Sequence, residues 1–207
     1  MEKVTVLAPA KLNLTLDIVG MVPGGYHAMD MIMQAVDLFE RVEVAKAPPE
    51  KLRVICSDPQ LPTGAANTAY KAACAFFKEA GLLAGATIRV DKRVPVKAGM
   101  AGGSADAAAV LVGLNALYGA RMSAEKLAEI GFSIGADVPF AVLGGTAHAT
   151  GVGEVLCPLP PLPDCRFVIC MPEYGIRTPE AFARYDCLLY TSPSRVSSPR
   201  ARKGVPS

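Results

Sequence analysis

Hydrophobic and polar residues alternate along the N-terminal part of the chain, and this pattern predicts β-strands. The alternation is clearest from residue 4 to residue 18, where Val, Leu and Ile take turns with Thr, Asn and Asp. Pro23, Gly24 and Gly25 then favour a turn. The same reasoning predicts further strands at residues 29–37, 40–46 and 51–56.

Capping residues and glycines predict the helices that follow. Asn67 and Thr68 are typical of a helix start and Gly81 of a helix end, so we expect a helix between them. The mixture of strands and helices indicates an α+β fold. The remaining predicted elements are a strand at 87–91, a glycine-rich loop at 95–103, a helix at 104–118 ended by Gly119, a helix opened by Ser123, strands at 146–149 and 166–171, and a helix opened by Thr178, Pro179 and Glu180.

Composition and charge exclude several classes of protein. With 51% hydrophobic and 19% charged residues, the chain is too apolar to be disordered. The net charge is +2, but the first 186 residues hold 17 basic and 19 acidic residues, which does not indicate a nucleic-acid-binding face. No uncharged run reaches the about 18 apolar residues of a membrane span. The N-terminus also lacks a signal-peptide pattern, so we expect a cytoplasmic protein.

The six cysteines and two histidines follow no metal-binding pattern. There is no Cys-x-x-Cys pair and no histidine at ligand spacing, so we expect reduced, mostly buried thiols and no structural zinc. His148 lies in a predicted strand of small residues and is expected to be structural. With two histidines and no Cys/His cluster, the sequence also does not offer the residue set of a hydrolase triad.

The last 21 residues, 187–207, differ from the rest of the chain. They contain serines, prolines and four basic residues, with hardly any hydrophobic periodicity. Two explanations remain open: a disordered tail, or a segment foreign to the domain. Neither adds a folded element.

The strongest chemical signal is the glycine-rich loop (residues 95–103), which lies between a predicted strand and a predicted helix. Glycines allow a positive φ and a close approach of the backbone to a ligand. The N–H groups at the helix start suit a phosphate, and Ser104 adds a hydroxyl. The loop is neither a Walker motif nor a dinucleotide fingerprint. A tight turn that permits close helix packing is the alternative.

Three motifs in the same order resemble those of the GHMP kinases, the superfamily of galactokinase, homoserine kinase and mevalonate kinase. They are residues 95–109, residues 8–14 with 24–27, and residues 134–140. The resemblance implies the GHMP kinase N-terminal domain, an α+β fold of the ribosomal protein S5 domain 2-like type with a left-handed βαβ unit. It covers residues 4–186, so the chain is similar to the N-terminal two-thirds of such a kinase.

The resemblance also implies a domain organisation. Residues 1–160 correspond to the ATP-binding domain and residues 161–186 to the start of a C-terminal α/β half, followed by the tail at 187–207. Members of the family continue with the rest of that half and with a third glycine-rich motif. The sequence is therefore expected to be truncated relative to them, and the 207-residue chain to be catalytically weak or inactive by itself.

By resemblance, the activity is phosphorylation by ATP, with Mg²⁺, of the 2-hydroxyl of a cytidine diphosphate-linked methylerythritol in the non-mevalonate isoprenoid pathway. Lys11 would lower the pKa of this hydroxyl, and Asp137 would accept or orient its proton. Tyr26 and Phe182 would stack on the cytosine ring, and His27 would recognise its edge. Further contacts implied are Asn13 and Thr178 for the substrate, and Asn67, Lys92, Pro95, Lys97, Ala98, Gly99, Met100, Ala101, Gly102, Gly103, Ser104 and Asp106 for the nucleotide.

Each of these residues also has an ordinary structural explanation. Lys11 could extend along an edge strand, and Asp137 could cap a helix. Tyr26 and His27 could be an exposed loop pair, and Phe182 could be core. Three other functions remain: another GHMP kinase of the homoserine or mevalonate type, an RNA-binding domain of the same fold, and a non-catalytic truncated fragment. The Tyr26–His27 pair disfavours the first, and the absence of net positive charge in residues 1–186 disfavours the second.

Overall fold

A long β-hairpin forms the centre of the computed structural model, which describes residues 2–171 and 178–191. Strands β1 (Lys3–Val22) and β2 (Tyr26–Lys46) pair antiparallel, and the predicted glycine turn joins them. The prediction of two strands in place of β2 is wrong. Pro9 pairs with Phe39 and Ala10 with Val36, so two residues of β2 bulge out without ending the strand.

The other strands pair around β2. The residues from Met29 to Gln34 pair with β5 (Thr146–Gly151), and those from Arg41 to Lys46 pair with β4 (Ala86–Asp91). Strand β3 (Leu52–Cys56) lies parallel to β4, and β6 (Val155–Leu159) lies antiparallel to β5. The sheet order is β3-β4-β2-β5-β6, with β1 also paired to β2. Strand β6 was not predicted.

Five helices complete the described residues, and their ends follow local capping chemistry. The side chain of Asn67 accepts hydrogen bonds from the N–H groups of Ala69 and Tyr70, and Gly81 ends the helix with a φ of 64°. Ser123 caps a later helix in the same way. These predicted ends are confirmed. The helices are α1 (Thr68–Ala80), α2 (Gly102–Tyr118), α3 (Ala124–Phe132), α4 (Val138–Leu143) and α5 (Thr178–Thr191).

Helix α2 packs against the β1–β2 hairpin at the centre of the main hydrophobic core. It is apolar on most of its surface, as expected for a helix that is covered on several sides. At Gly113, an added Cβ would lie 3.0 Å from Cγ2 of Val44 and 3.4 Å from Cγ2 of Val6. The absence of a side chain at this position therefore lets the helix backbone approach the sheet.

The chain divides into two compact units, Met1–Cys170 and Met171–Ser207. The strand predicted at residues 166–171 does not form, and Val168 is 99% exposed. Alternating hydrophobic residues make a strand only where a neighbouring strand accepts and donates hydrogen bonds. In the second unit, α5 begins at Thr178 as predicted and includes residues 187–191 of the predicted tail. Residues 192–207 lie outside the described residues, and the domain limits at 160 and 186 remain predictions.

Two expectations about single side chains have different outcomes. The cysteines are not mostly buried: Cys56 is partly buried, and the other five are exposed on outward faces or in irregular segments. His148 has an evident partner, because its Nε2 lies 2.7 Å from Oδ1 of Asp30 on the adjacent strand. This contact agrees with the structural role expected for it. Among the helices in the described part of the chain, none combines the length and apolar character that crossing a membrane requires.

The close approach at Gly113 can be tested with Gly113→Ala. Helix propensity alone would stabilise the protein by about 1 kcal/mol. Because the new Cβ would press on Val44, overpacking should cost about 1–3 kcal/mol and outweigh this gain, so we expect the free energy of unfolding in urea denaturation to fall by up to about 2 kcal/mol. Ala116→Gly, at an exposed position of the same helix, measures the propensity effect by itself. A stabilised Gly113→Ala protein would contradict the tight packing of α2.

Candidate active site

The glycine-rich loop leads from β4 into α2 with an alternating backbone. Lys97, Gly99 and Ala101 have φ angles of 61°, 71° and 59°, whereas the two residues between them do not have a positive φ. Alternation of this kind turns successive N–H groups towards one side and forms a concave anion-binding nest. Lys97 and Ala101 adopt the left-handed region although they are not glycines. Their surroundings must therefore impose this conformation.

Helix α2 starts at Gly102, so the last two residues of the loop already belong to its first turn. This start is two residues earlier than predicted. The N-cap residue, Ala101, makes no side-chain capping bond, and the first turn holds no acidic residue. The N–H groups of this turn, at the positive end of the helix dipole, are therefore not capped by a side chain. The Thr68 hydroxyl donates to the Gly103 carbonyl at 2.6 Å, which brings the start of α1 beside this turn.

The middle of the loop is fastened to β1. The side chain of Met100 is buried in a small cluster with Ala10 and Val94. The backbone N–H of Lys11 donates to the carbonyl of Met100 at 3.1 Å. The loop and the predicted catalytic lysine are thus held together by a main-chain hydrogen bond.

A buried charge triad of Glu40, Lys92 and Asp106 lies under the loop. The ammonium of Lys92 contacts Oε1 of Glu40 and lies 2.8 Å from Oδ2 of Asp106. The three side chains are 0%, 7% and 8% exposed, in the order Glu40, Lys92, Asp106. Oδ1 of Asp106 is buried and is the one such oxygen without a hydrogen-bond partner in the described residues. Lys92 and Asp106 were predicted to line the nucleotide pocket. In the structure, their side chains form an ion pair with each other.

The triad carries two carboxylates and one ammonium, and its environment shifts their pKa values. Burial raises the pKa of Asp106 to about 6, because the attraction of Lys92 only partly offsets desolvation and Glu40 adds repulsion. Burial acts to lower the pKa of Lys92, but the two carboxylates outweigh it and raise this pKa. Sequence reasoning missed Glu40. The strand alternation could have identified it: Glu40 lies two residues before buried Val42, so both side chains point to the same, buried face of β2.

Lys11 and Asp137 meet although they are far apart in sequence. Nζ of Lys11 lies 3.4 Å from Oδ1 of Asp137 and donates to Oδ1 of Asn13 at 2.9 Å. The Lys11 side chain is 7% exposed, whereas that of Asp137 is 33% exposed. Asp137 stands at the N-cap position of α4, but its side chain makes no capping hydrogen bond. The capping explanation for Asp137 is therefore wrong, and its carboxylate faces the lysine instead.

The start of α2 lies next to the segment that carries Asp137. An added Cβ at Gly135 would lie 3.9 Å from Oγ of Ser104. Because Gly135 precedes Asp137 by two residues, the glycine-rich loop, Ser104 and the Lys11–Asp137 pair share one region of the first unit. A phosphate held by the loop would thus be close to an ion pair.

The remaining predicted site residues belong to other elements. Asn67 uses its side chain for the α1 cap and also donates from Nδ2 to the Pro62 carbonyl. Tyr26 and His27 stand at the tip of the β1–β2 hairpin, where Tyr26 is 66% exposed. Thr178 and Phe182 belong to α5 in the second unit. The Thr178 side chain lies outside the described residues.

Sequence comparison relates the chain to a family of kinases. Residues 67–145 match the family described as GHMP kinases N terminal domain. The 4-diphosphocytidyl-2-C-methyl-D-erythritol kinase of Carboxydothermus hydrogenoformans is 49% identical over 179 residues, which are 86% of this chain and 62% of that protein. The kinase of the same name from Alkaliphilus metalliredigens is 40% identical over 186 residues, which are 90% of this chain and 64% of the relative. The chain thus spans less than two thirds of the length of these relatives.

Comparison with solved structures gives similar coverage. A 4-(cytidine 5'-diphospho)-2C-methyl-D-erythritol kinase is 40% identical with a TM-score of 0.62, over 75% of this chain and 55% of that one. Homoserine kinase from Cytophaga hutchinsonii matches with a TM-score of 0.61 at 18% identity, over 91% of this chain and 65% of that one. Mevalonate kinase from Methanococcus jannaschii matches with a TM-score of 0.60 at 12% identity, over 76% and 56%. The last two, at low identity, show a shared fold alone.

The raised pKa of Asp106 predicts a pH dependence of stability. Since this pKa lies at about 6 in the folded chain and near 3.8 in the unfolded chain, the folded state holds an extra proton between these values. The contribution of Asp106 to the free energy of unfolding therefore decreases as the pH rises through this window. We expect Asp106→Asn to remove this decrease, so that between pH 4.5 and 7.5 the variant gains about 2 kcal/mol relative to the parent.

Urea denaturation at pH 4.5, 6.0 and 7.5 measures this difference. Asp164→Asn, in an exposed irregular segment, is the matched control and should follow the parent at each pH. Parallel stability profiles for Asp106→Asn and the parent would mean that Asp106 ionises without penalty.

Proposed function

Because the chain belongs to the GHMP kinases and carries their N-terminal domain, we propose that it acts in the ATP-dependent phosphorylation of the 2-hydroxyl of 4-diphosphocytidyl-2-C-methyl-D-erythritol. The observation that carries the proposal is the main-chain hydrogen bond between Lys11 and Met100, which sets an ion pair beside a nest of N–H groups. A phosphoryl donor and an acceptor hydroxyl need such neighbouring sites for in-line transfer.

The loop supplies binding of the phosphates. The N–H groups of residues 97–101 and of the first turn of α2 would donate to the phosphate oxygens, and Ser104 would add its hydroxyl. These donors are fixed in the fold and do not have to reorganise as negative charge moves during transfer. The other residues predicted to line the nucleotide pocket, among them Asn67 and Lys92, are part of this proposal.

Lys11 and Asp137 act on the acceptor. The more exposed carboxylate of Asp137 would meet the substrate hydroxyl and take or orient its proton. The buried ammonium of Lys11 would favour the developing alkoxide, and its bond to Asn13 fixes its direction. The proton of the hydroxyl moves to the aspartate as the oxygen attacks the γ-phosphorus and the bond to the bridging oxygen of ADP breaks.

The residues of the site fit magnesium held by a nucleotide better than a metal held by the protein. Within residues 2–171 and 178–191, no three His, Cys, Asp or Glu side chains gather as a metal site. Magnesium in kinases binds mainly phosphate oxygens and waters, with one or two protein oxygens. The Ser104 hydroxyl is our proposed protein ligand, and the ion would offset charge on the phosphates.

The cytidine-linked acceptor is supported by the names of the relatives at 40–49% identity. Tyr26 and His27 would stack on the cytosine and recognise its edge, and Thr178 and Phe182 remain predicted substrate contacts. A cytoplasmic location without nucleic-acid or membrane partners belongs to the same proposal. Homoserine or mevalonate kinase activity is the second candidate. It is supported only by the similarity of the fold to solved kinases of these two types.

A coupled ADP-release assay with three acceptors tests the proposal. We expect ATP to bind, and any ADP release to require the cytidyl acceptor, with rates at background for homoserine and mevalonate, because neither offers a base to Tyr26 and His27. Calorimetric titration with ATP is run beside the assay. ATP binding without ADP release in the presence of any acceptor would support the non-catalytic alternative. Turnover of homoserine or mevalonate would contradict the proposed substrate and favour the second candidate.

Asp137→Asn and Lys11→Met test the assigned roles. We expect Asp137→Asn to change the ATP affinity less than about twofold and to lower kcat by about 100-fold or more. The double variant should lose much less than the product of the two single losses, because the residues act as one unit on the hydroxyl. Multiplicative losses would contradict the pairing. Asp17→Asn, on the same hairpin but away from the Lys11–Asp137 pair, is the control.

A further inference from the structure

Glu40 is a buried carboxylate that the proposed transfer does not use. Its side chain is 0% exposed and lies on β2 in register with buried Val42 and Val44. A lone charge in the interior is costly, and an apolar residue would fill the same space without that cost. The position of this carboxylate therefore calls for an explanation beyond filling the core.

Glu40 holds the chain where it enters the glycine-rich loop. Strand β4 pairs with β2 as far as Asp91, opposite Arg41. Just beyond this point, the backbone N–H of Arg93 donates to Oε2 of Glu40 at 2.8 Å, and Lys92 contacts Oε1. The Glu40 side chain thus accepts a backbone hydrogen bond just beyond the last paired residues of β2 and β4.

Glu40 also supports the chain where it leaves the loop. An added Cβ at Gly102 would lie 3.0 Å from Oε1 of Glu40 and 3.2 Å from Cβ of Val94. The first residue of α2 therefore rests directly on the carboxylate. Through Lys92, the same carboxylate is linked to Asp106 in the next turn of the helix.

We propose that Glu40 is a positioning residue for the glycine-rich loop, which it fixes at its entrance, Arg93, and at its exit, Gly102. The positive φ angles of Lys97 and Ala101 need such an outside constraint. Donors that are held in place beforehand lose less conformational freedom when a ligand binds, so the constraint raises affinity. This inference rests on the proposed function, because it takes the phosphates of ATP as the ligand of the loop.

The test compares Glu40→Gln with the parent in two measurements. Glutamine keeps the size of the side chain but has one acceptor oxygen where glutamate has two, so it cannot accept from both Arg93 and Lys92, and it removes the negative charge that Lys92 pairs with. We expect the amides of Lys11 and Ala105, which donate to the loop carbonyls of Met100 and Ala101, to exchange hydrogen faster in the unliganded variant. We also expect the calorimetric affinities for ATP and for tripolyphosphate to fall about tenfold or more, while that for adenosine, which has no phosphate, is unchanged. Glu43→Gln, on the same strand and paired with Lys3, should change neither.

The outcomes separate this inference from the proposed function. Equal exchange and equal phosphate affinities in Glu40→Gln and the parent would overturn it. So would a lower melting temperature with unchanged phosphate affinity, since Glu40 would then serve stability alone. If the parent does not bind ATP, the proposed function fails, and the exchange measurement decides the role of Glu40. If Glu40→Gln does not fold, Glu40→Asp keeps the charge, shortens the reach and should show the same loss.

Discussion

The pairing of β2 along both of its edges is the constraint on which the rest of the first unit depends. On one edge it holds β1 along nearly its whole length, and on the other it holds β5 and then β4. The bulge after Val36 lies between these two partners. It marks the level at which Ala10 and Lys11 on β1, and Glu40 on β2, face the glycine-rich loop.

Two lysines near this loop have different roles, one structural and one proposed to be catalytic, because their partners differ. Lys92 lies between two buried carboxylates, so its charge is used to link strands β2 and β4 to α2. Lys11 is equally buried but meets one partly exposed carboxylate and an amide. An arriving hydroxyl could therefore interact with Lys11 and Asp137, whereas Lys92 is already satisfied. Burial alone does not distinguish the two lysines; the exposure of their partners does.

The strain in the loop and the charge beneath it belong to one arrangement. Lys97 and Ala101 hold an unfavourable backbone conformation, and Met100, Lys11 and Glu40 each fasten the loop to the hairpin. A flexible loop would relax to negative φ values and lose the alternation that directs its N–H groups to one side. The strained backbone and the buried charges are unfavourable for folding, but together they hold the loop in a shape that can bind an anion.

Sequence alone determined the features that depend on neighbouring residues. Asn67 and Gly81 end α1 through bonds within a few residues, and the alternation of β1 and the glycine turn are equally local. The glycine-rich loop was predicted for the same reason. The resemblance to the GHMP kinases paired Lys11 with Asp137, which no spacing along the chain could have indicated.

Tertiary structure decided whatever depends on partners distant in sequence. The segment 166–171 has a strand pattern but pairs with no strand of the described residues. By contrast, the two predicted parts of β2 join because β1 continues past the bulge. Asp137 has the sequence context of a cap, yet its carboxylate turns to Lys11. Glu40 looks like a surface acid between Phe39 and Arg41 until β4 and α2 enclose it. Burial and charge pairing arise only when separate elements meet, so the sequence by itself could not place them.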